Sequence, residues 1–128
     1  MTYLLSLAVA LITSVVALQQ TTPEPRLNIT QYYVSDTSKY ESFRLKVLNN
    51  SDSLVVIEQI HPSCGCVLAT VQRNIATRDN PGDIYVAVTS DRVSATQPIV
   101  IEVITNRNRK TPLKLYINKR PKPEEKEG

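Results

Sequence analysis

Residues 84–89 read Ile84-Tyr85-Val86-Ala87-Val88-Thr89. Ile84, Val86 and Val88 occupy every second position, with Tyr85, Ala87 and Thr89 between them. Successive side chains of a β-strand point to opposite faces, so this stretch predicts a strand with one face on a core. Three more stretches share its period. Phe43, Leu45 and Val47 alternate with Arg44 and Lys46; Ile99, Ile101 and Val103 flank Glu102; Leu113, Leu115 and Ile117 alternate with Lys114 and Tyr116. Val86 and Ile101 are expected to be buried. Weaker strands are expected at Asn28–Val34, Leu54–Ile60 and Cys66–Val71.

Turn-forming residues separate these stretches: Asp36 to Ser38, Asn49-Asn50-Ser51-Asp52, Pro62-Ser63, Asp79-Asn80-Pro81-Gly82 and Thr105 to Asn108. No segment carries an amphipathic helical stripe, and no internal repeat is evident. About seven short strands punctuated in this way predict an all-β chain, an Ig-like antiparallel β-sandwich. The composition agrees: the apolar residues are mostly Val, Ile and Leu, with no Trp, one Phe (Phe43) and six Tyr.

The ends differ from the middle. Tyr3 to Leu18 is an uncharged apolar run, shorter than the roughly 20 residues of a membrane span and close to the apolar region of a signal peptide. Val15-Val16-Ala17 places small residues where a signal peptidase reads, which puts the cut after Ala17. No basic residue precedes the run, so an uncleaved anchor over residues 3–18 stays open. Residues 1–17 are therefore read as a signal peptide or anchor, 18–26 as a Pro-bearing linker, 27–119 as the sandwich domain and 120–128 as a disordered charged tail. The domain, at roughly 95 residues, has the size usual for such a sandwich. Export to the periplasm or cell surface follows as an expectation.

Several stretches together resemble a known family. They are Asn49 to Glu58 (NNSDSLVVIE), Pro62-Ser63-Cys64-Gly65-Cys66, Pro81-Gly82-Asp83-Ile84, Ile104-Thr105-Asn106 and Pro112-Leu113-Lys114-Leu115. The chain resembles the DUF1573 family over roughly Glu41 to Asn118. The Ser-Cys-Gly-Cys core is the most specific element. Val67 stands where the family often has Thr, and Asp91 to Thr96 replaces a Gly-containing turn. The resemblance implies an Ig-like fold in exported bacterial proteins and brings no mechanism with it.

Two cysteines one residue apart in an exported chain raise a redox question. In an extended strand their Cα atoms would lie about 6.6 Å apart, whereas disulfides favour about 5.5 Å. A Cys64–Cys66 bridge therefore needs a local bend, which Gly65 would permit through its freedom in unusual φ/ψ regions. Such a small ring closes almost no loop and stabilises the fold little. Three readings stay open: a structural Cys-Gly-Cys turn, a soft-metal site for Cu(I) or Zn built from Cys64, Cys66 and His61, and a thiol–disulfide centre. His61 is the sole histidine, and Glu58 and Asp83 are the nearest candidate oxygen ligands. A Cys–His nucleophile lacks an orienting partner, and neither a Walker loop nor a dinucleotide fingerprint is present.

The formal charge is +3, too mild to imply nucleic acid. From Val103 to Pro123 seven bases occur with no acid. A solvated hairpin whose lysines discourage edge pairing accounts for them, and a contact to an anionic surface is the alternative. Stacking aromatics are nearly absent there, which disfavours nucleic acid. The sequence thus points away from an enzyme and toward a binding or structural module with a protein partner in the cell envelope. Membrane contact would come only through an uncleaved N-terminus.

Overall fold

Every second side chain of Gly82–Thr89 is buried, and the strand pairs on both sides. In the computed structural model, which describes residues 23–35 and 37–120, nine strands form two sheets. They are β1 (Arg26–Leu27), β2 (Gln31–Val34), β3 (Tyr40–Leu48), β4 (Val55–Pro62), β5 (Val67–Arg73), β6 (Ile75–Ala76), β7 (Gly82–Thr89), β8 (Ile99–Thr105) and β9 (Leu113–Lys119). One sheet has the order β1-β3-β7-β5 and the other β2-β9-β8-β4-β6. Residues 1–17, read above as a signal peptide or anchor, most of the expected linker, Asp36 and the expected tail beyond Arg120 lie outside the described residues.

The core lies between the two inner faces. Leu45, Val47, Ile84 and Val86 come from the first sheet, and Val55, Ile101, Val103, Leu115 and Ile117 from the second; all are fully buried. Burial of each such side chain is worth about 1.5–3 kcal/mol. Val86 and Ile101 thus lie where their alternation placed them. Phe43 is only half-buried and stacks on Tyr32, with ring centroids 3.9 Å apart.

Four expectations need correction. The described residues form nine strands, not about seven. The stretch 28–34 does not form one strand, because the chain changes sheets at Asn28–Thr30. Asn28 bonds both ways with Lys46 of the first sheet, and the Thr30 carbonyl accepts from Tyr116 of the second. The sandwich is not wholly antiparallel, since β2 runs parallel to β9 with Gln31 opposite Tyr116. As a result β2 covers Tyr116–Lys119 of β9, so Lys119 does not guard an edge, while Lys114 lies before the paired stretch. At smaller scale, β1 begins at Arg26, one residue before the expected domain start, and pairs it with Leu48. Ser90–Arg92 forms a 3-10 turn where the sequence deviates from the family pattern.

Gly82 has a packing role. A Cβ there would lie 2.9 Å from Ile57 Cδ1 and 3.3 Å from Val47 Cβ. The glycine lets β7 approach β4 of the opposite sheet, and its φ is not left-handed.

Candidate functional site at the Cys64-Gly65-Cys66 turn

Residues 63–66 carry the chain from β4 in one sheet to β5 in the other, so the turn bridges the sheets along one side of the sandwich. Hydrogen bonds hold both of its ends. Ser63 N–H donates to the Val100 carbonyl at 2.8 Å, and Val100 N–H returns a bond to Ser63 Oγ at 2.9 Å. Thr89 N–H donates to the Cys66 carbonyl at 3.1 Å, and Val67 N–H to the Cys64 carbonyl at 3.3 Å.

Within the turn the Cys64 and Cys66 Cα atoms are 5.2 Å apart and the sulfurs are at bonding distance. The bend supplies the shortening that an extended backbone lacks. It does not draw on the special freedom of glycine: Gly65 has no left-handed φ, and a Cβ built on it meets nothing within 4 Å. The expectation about Gly65 is corrected accordingly. The two cysteines are unequally placed. Cys66 is 8% exposed and belongs to the core, whereas Cys64 is half-buried against it. The Cys66 N–H donates to Cys64 Sγ at 3.1 Å.

His61 is exposed on β4 opposite Glu102, and its Nε2 lies 2.7 Å from Gln59 Oε1. Glu58 sits at a bulge in β4 and receives two bonds from the Arg109 guanidinium, at 2.8 and 2.6 Å. Those bonds hold the Glu58 carboxyl below its usual range against the small opposing effect of burial, and they raise Arg109. Asp83 bonds Arg44 at 2.6 Å, with Lys46 Nζ 3.8 Å from its other oxygen. Among the described residues no three His, Cys, Asp or Glu side chains converge on a common point.

A carboxylate that the sequence reading passed over gathers more donors than any of these. Glu41 accepts from Tyr32 OH at 3.0 Å, from Ser38 Oγ at 3.2 Å, from Ser90 Oγ at 3.4 Å and from the Ser35 amide. Burial, reinforced by the bond to Glu41 and its charge, pushes the Tyr32 hydroxyl up, and Arg120 opposes the shift. The available signal was parity, since Glu41 lies on the same face of its strand as Phe43, Leu45 and Val47. An acid on a core-facing position needs donors, and the loops that follow β2 and β7 supply them.

Two surface features complete the picture. The first is the edge of β5, which among the described residues pairs with β7 alone. The bond from Thr89 N–H to Cys66 makes Val67 and Val88 a non-hydrogen-bonded pair. By the alternation of an antiparallel ladder, Leu68 and Thr70 bond to β7, while Ala69 and Val71 aim their N–H and C=O groups outward. Beside them Leu68 is 63% and Val71 38% exposed. The second is a shallow cleft of about 180 Å³ lined by Tyr33, Ser94, Thr96, Gln97, Asn118 and Lys119.

Residues 27–120 match the family described as "Protein of unknown function (DUF1573)". The chain belongs to the DUF1573 family. The match spans both sheets, so the Ser-Cys-Gly-Cys turn of this DUF1573 chain lies inside the family unit. No curated protein matches the chain. Among solved structures, a protein of unknown function from Porphyromonas gingivalis W83 is similar, with a TM-score of 0.62 and 9% identity over 82% of this chain and 50% of that one. The DUF1573 chain thus spans half the length of that protein, and the likeness is one of fold. The periplasmic chaperone SfaE aligns with a TM-score of 0.48 and 10% identity, over 78% of this chain and 59% of that one.

Proposed function

We propose that this DUF1573 chain is an exported Ig-like module that binds another protein of the cell envelope by accepting an extended segment on the edge of β5. The observation that carries this reading is the pair of outward-facing backbone groups at Ala69 and Val71 beside exposed Leu68. Native sheets blunt their edges with charge, proline, short length or bulges. The edge strands β1 and β6 have two residues each and β2 has four. On β5 the run Val67-Leu68-Ala69-Thr70-Val71 carries neither charge nor proline, and the one irregularity, at Gln72, falls beyond it. Strand addition takes affinity from main-chain bonds and selectivity from the neighbouring side chains, and both are available here.

Site-specific photo-crosslinking in intact host cells tests the reading. A photoreactive residue at Leu68 is expected to form a discrete protein adduct, and one at exposed Tyr33 on the far edge is not. Ala69→Pro removes the outward N–H while leaving the bonds to β7, because proline is tolerated on the open side of an edge strand. It should abolish the Leu68 adduct without altering the circular dichroism spectrum. Thr70→Lys, which sets a charge on the same exposed face of β5 and leaves the backbone untouched, provides a second variant that should weaken the Leu68 adduct. Equal adducts at Leu68 and Tyr33, or an adduct that survives both substitutions, would sink the proposal.

A further inference from the structure

We propose that Cys64 and Cys66 form a reversible thiol–disulfide site at which Cys64 is the sulfur that exchanges with an outside thiol and Cys66 is the resolving sulfur. The inference is independent of strand binding at β5 and goes beyond it.

Three features of the turn support it. First, the bond carries little structural load. The ring it closes contains only Gly65, so opening it frees no long loop. The turn is also tied to Val100 on one side and to Thr89 on the other by bonds that do not involve sulfur. Second, the two sulfurs are distinguished by their surroundings. Cys66 is packed in the core and Cys64 is half-buried at its rim. Gly65 between them is exposed, and a Cβ on it would meet nothing within 4 Å beyond its two chain neighbours. Third, a backbone donor already points at one sulfur: Cys66 N–H lies 3.1 Å from Cys64 Sγ. A donor so placed stabilises negative charge on that sulfur once the bridge opens, and it is the thiolate that reacts.

The chemistry is a two-electron exchange with a thiol/disulfide couple. In the reducing direction, an external thiolate attacks Cys64 Sγ. The Cys64–Cys66 bond breaks, its electron pair leaves on Cys66, and Cys64 is held in a mixed disulfide. Cys66 takes up a proton from solvent. A second external thiolate attacks the outer sulfur of the mixed disulfide, releases Cys64 as its thiolate, and departs as the oxidised couple. In the oxidising direction the Cys64 thiolate attacks one sulfur of an external disulfide; that S–S bond breaks, one external thiolate leaves with the electron pair, and Cys64 is held in a mixed disulfide. Cys66, on losing its proton, then closes the bridge onto Cys64 and expels the remaining external thiolate.

The test uses the purified protein with reduced and oxidised glutathione as a small-molecule couple and thioredoxin as a protein dithiol. The wild type should move between disulfide and dithiol forms in either couple, read by mass after thiol alkylation, with the same unfolding midpoint in both forms. Reaction with one probe and not the other identifies the kind of thiol the site accepts. Cys66→Ser should trap a mixed disulfide at Cys64. Cys64→Ser, with its thiol in the core, should react about tenfold more slowly or less. The assignment is overturned if the wild-type bridge resists both couples. It is also overturned if the two single variants react at equal rates, if reduction unfolds the domain, or if the reduced pair binds Zn(II) or Cu(I) one-to-one and is thereby closed to exchange.

Discussion

Gly82 and Gly65 share a residue type and face opposite constraints. At Gly82 an alanine methyl would crowd Ile57 Cδ1 and Val47 Cβ. The tip of Ile57 can turn aside, but Val47 Cβ is fixed to the backbone of β3, so part of the overlap remains. Overpacking of this kind costs about 1–3 kcal/mol, and the entropy gained in replacing glycine returns about 0.4–1 kcal/mol. Gly82→Ala should therefore lower stability by about 1 kcal/mol in urea unfolding. Gly65→Ala meets no neighbour and no left-handed φ, so only the entropic gain applies, and stability should hold or rise by up to about 1 kcal/mol. A loss at Gly65 equal to that at Gly82 would refute the contrast. Tyr32 offers a test in pH. Its hydroxyl is held above its ordinary value by burial and by Glu41. An unfolded tyrosine ionises near pH 10, where the folded Tyr32 holds more of its proton. The contribution is complete below about pH 10 and is lost as pH rises from there through the folded value. Tyr32→Phe should flatten the alkaline decline measured by denaturant titration from about pH 9 to 11; an unchanged slope would exclude Tyr32 as its source.

At the scale of elements, β6 shows how a two-residue strand is held. Asn49 is buried and uses its whole amide. Its Nδ2 donates to the Ser53 carbonyl at 2.7 Å and to the Ala76 carbonyl at 2.8 Å, and its Oδ1 accepts from Ser51 N and Oγ at 2.9 and 2.7 Å. Asn49→Ala strips these bonds and leaves the Ala76 carbonyl with only its ladder bond from Val55, a loss of about 1–3 kcal/mol. The amide of Ala76, which the ladder register bonds to Val55, should exchange faster as β6 loosens. Exchange at the wild-type rate would show that the two rungs to β4 suffice. The sequence marked Asn49-Asn50-Ser51-Asp52 as a turn from its residue types, and that much is local. It could not mark Ala76 as the partner, because the two are 27 positions apart. The same limit explains the stretch 28–34. Its composition reads as one strand, while the switch between sheets depends on Lys46 and Tyr116, far away in the chain.

At the scale of the molecule, the export reading rests on Tyr3 to Leu18, outside the described residues. Among those described, no helix is long and apolar enough to cross a membrane. N-terminal sequencing of protein from the native host should begin at or near Leu18, and an intact Met1 on membrane-bound material would favour the anchor. Read alone, the sequence determined that the described residues form an all-β fold and which side chains of the four strongest strands enter the core. These properties follow from covalent spacing: residues two apart share a face wherever a strand forms, and neighbours in sequence stay near one another in any fold. The tertiary structure alone decided that β2 lies parallel to β9 and covers Tyr116–Lys119 of it. It also decided that β5 ends as an edge among the described strands, and that Glu41 collects donors from the loops after β2 and β7. Each of these depends on which distant segments pair. That choice is made by the combined packing of two sheets, and no local window of sequence contains it.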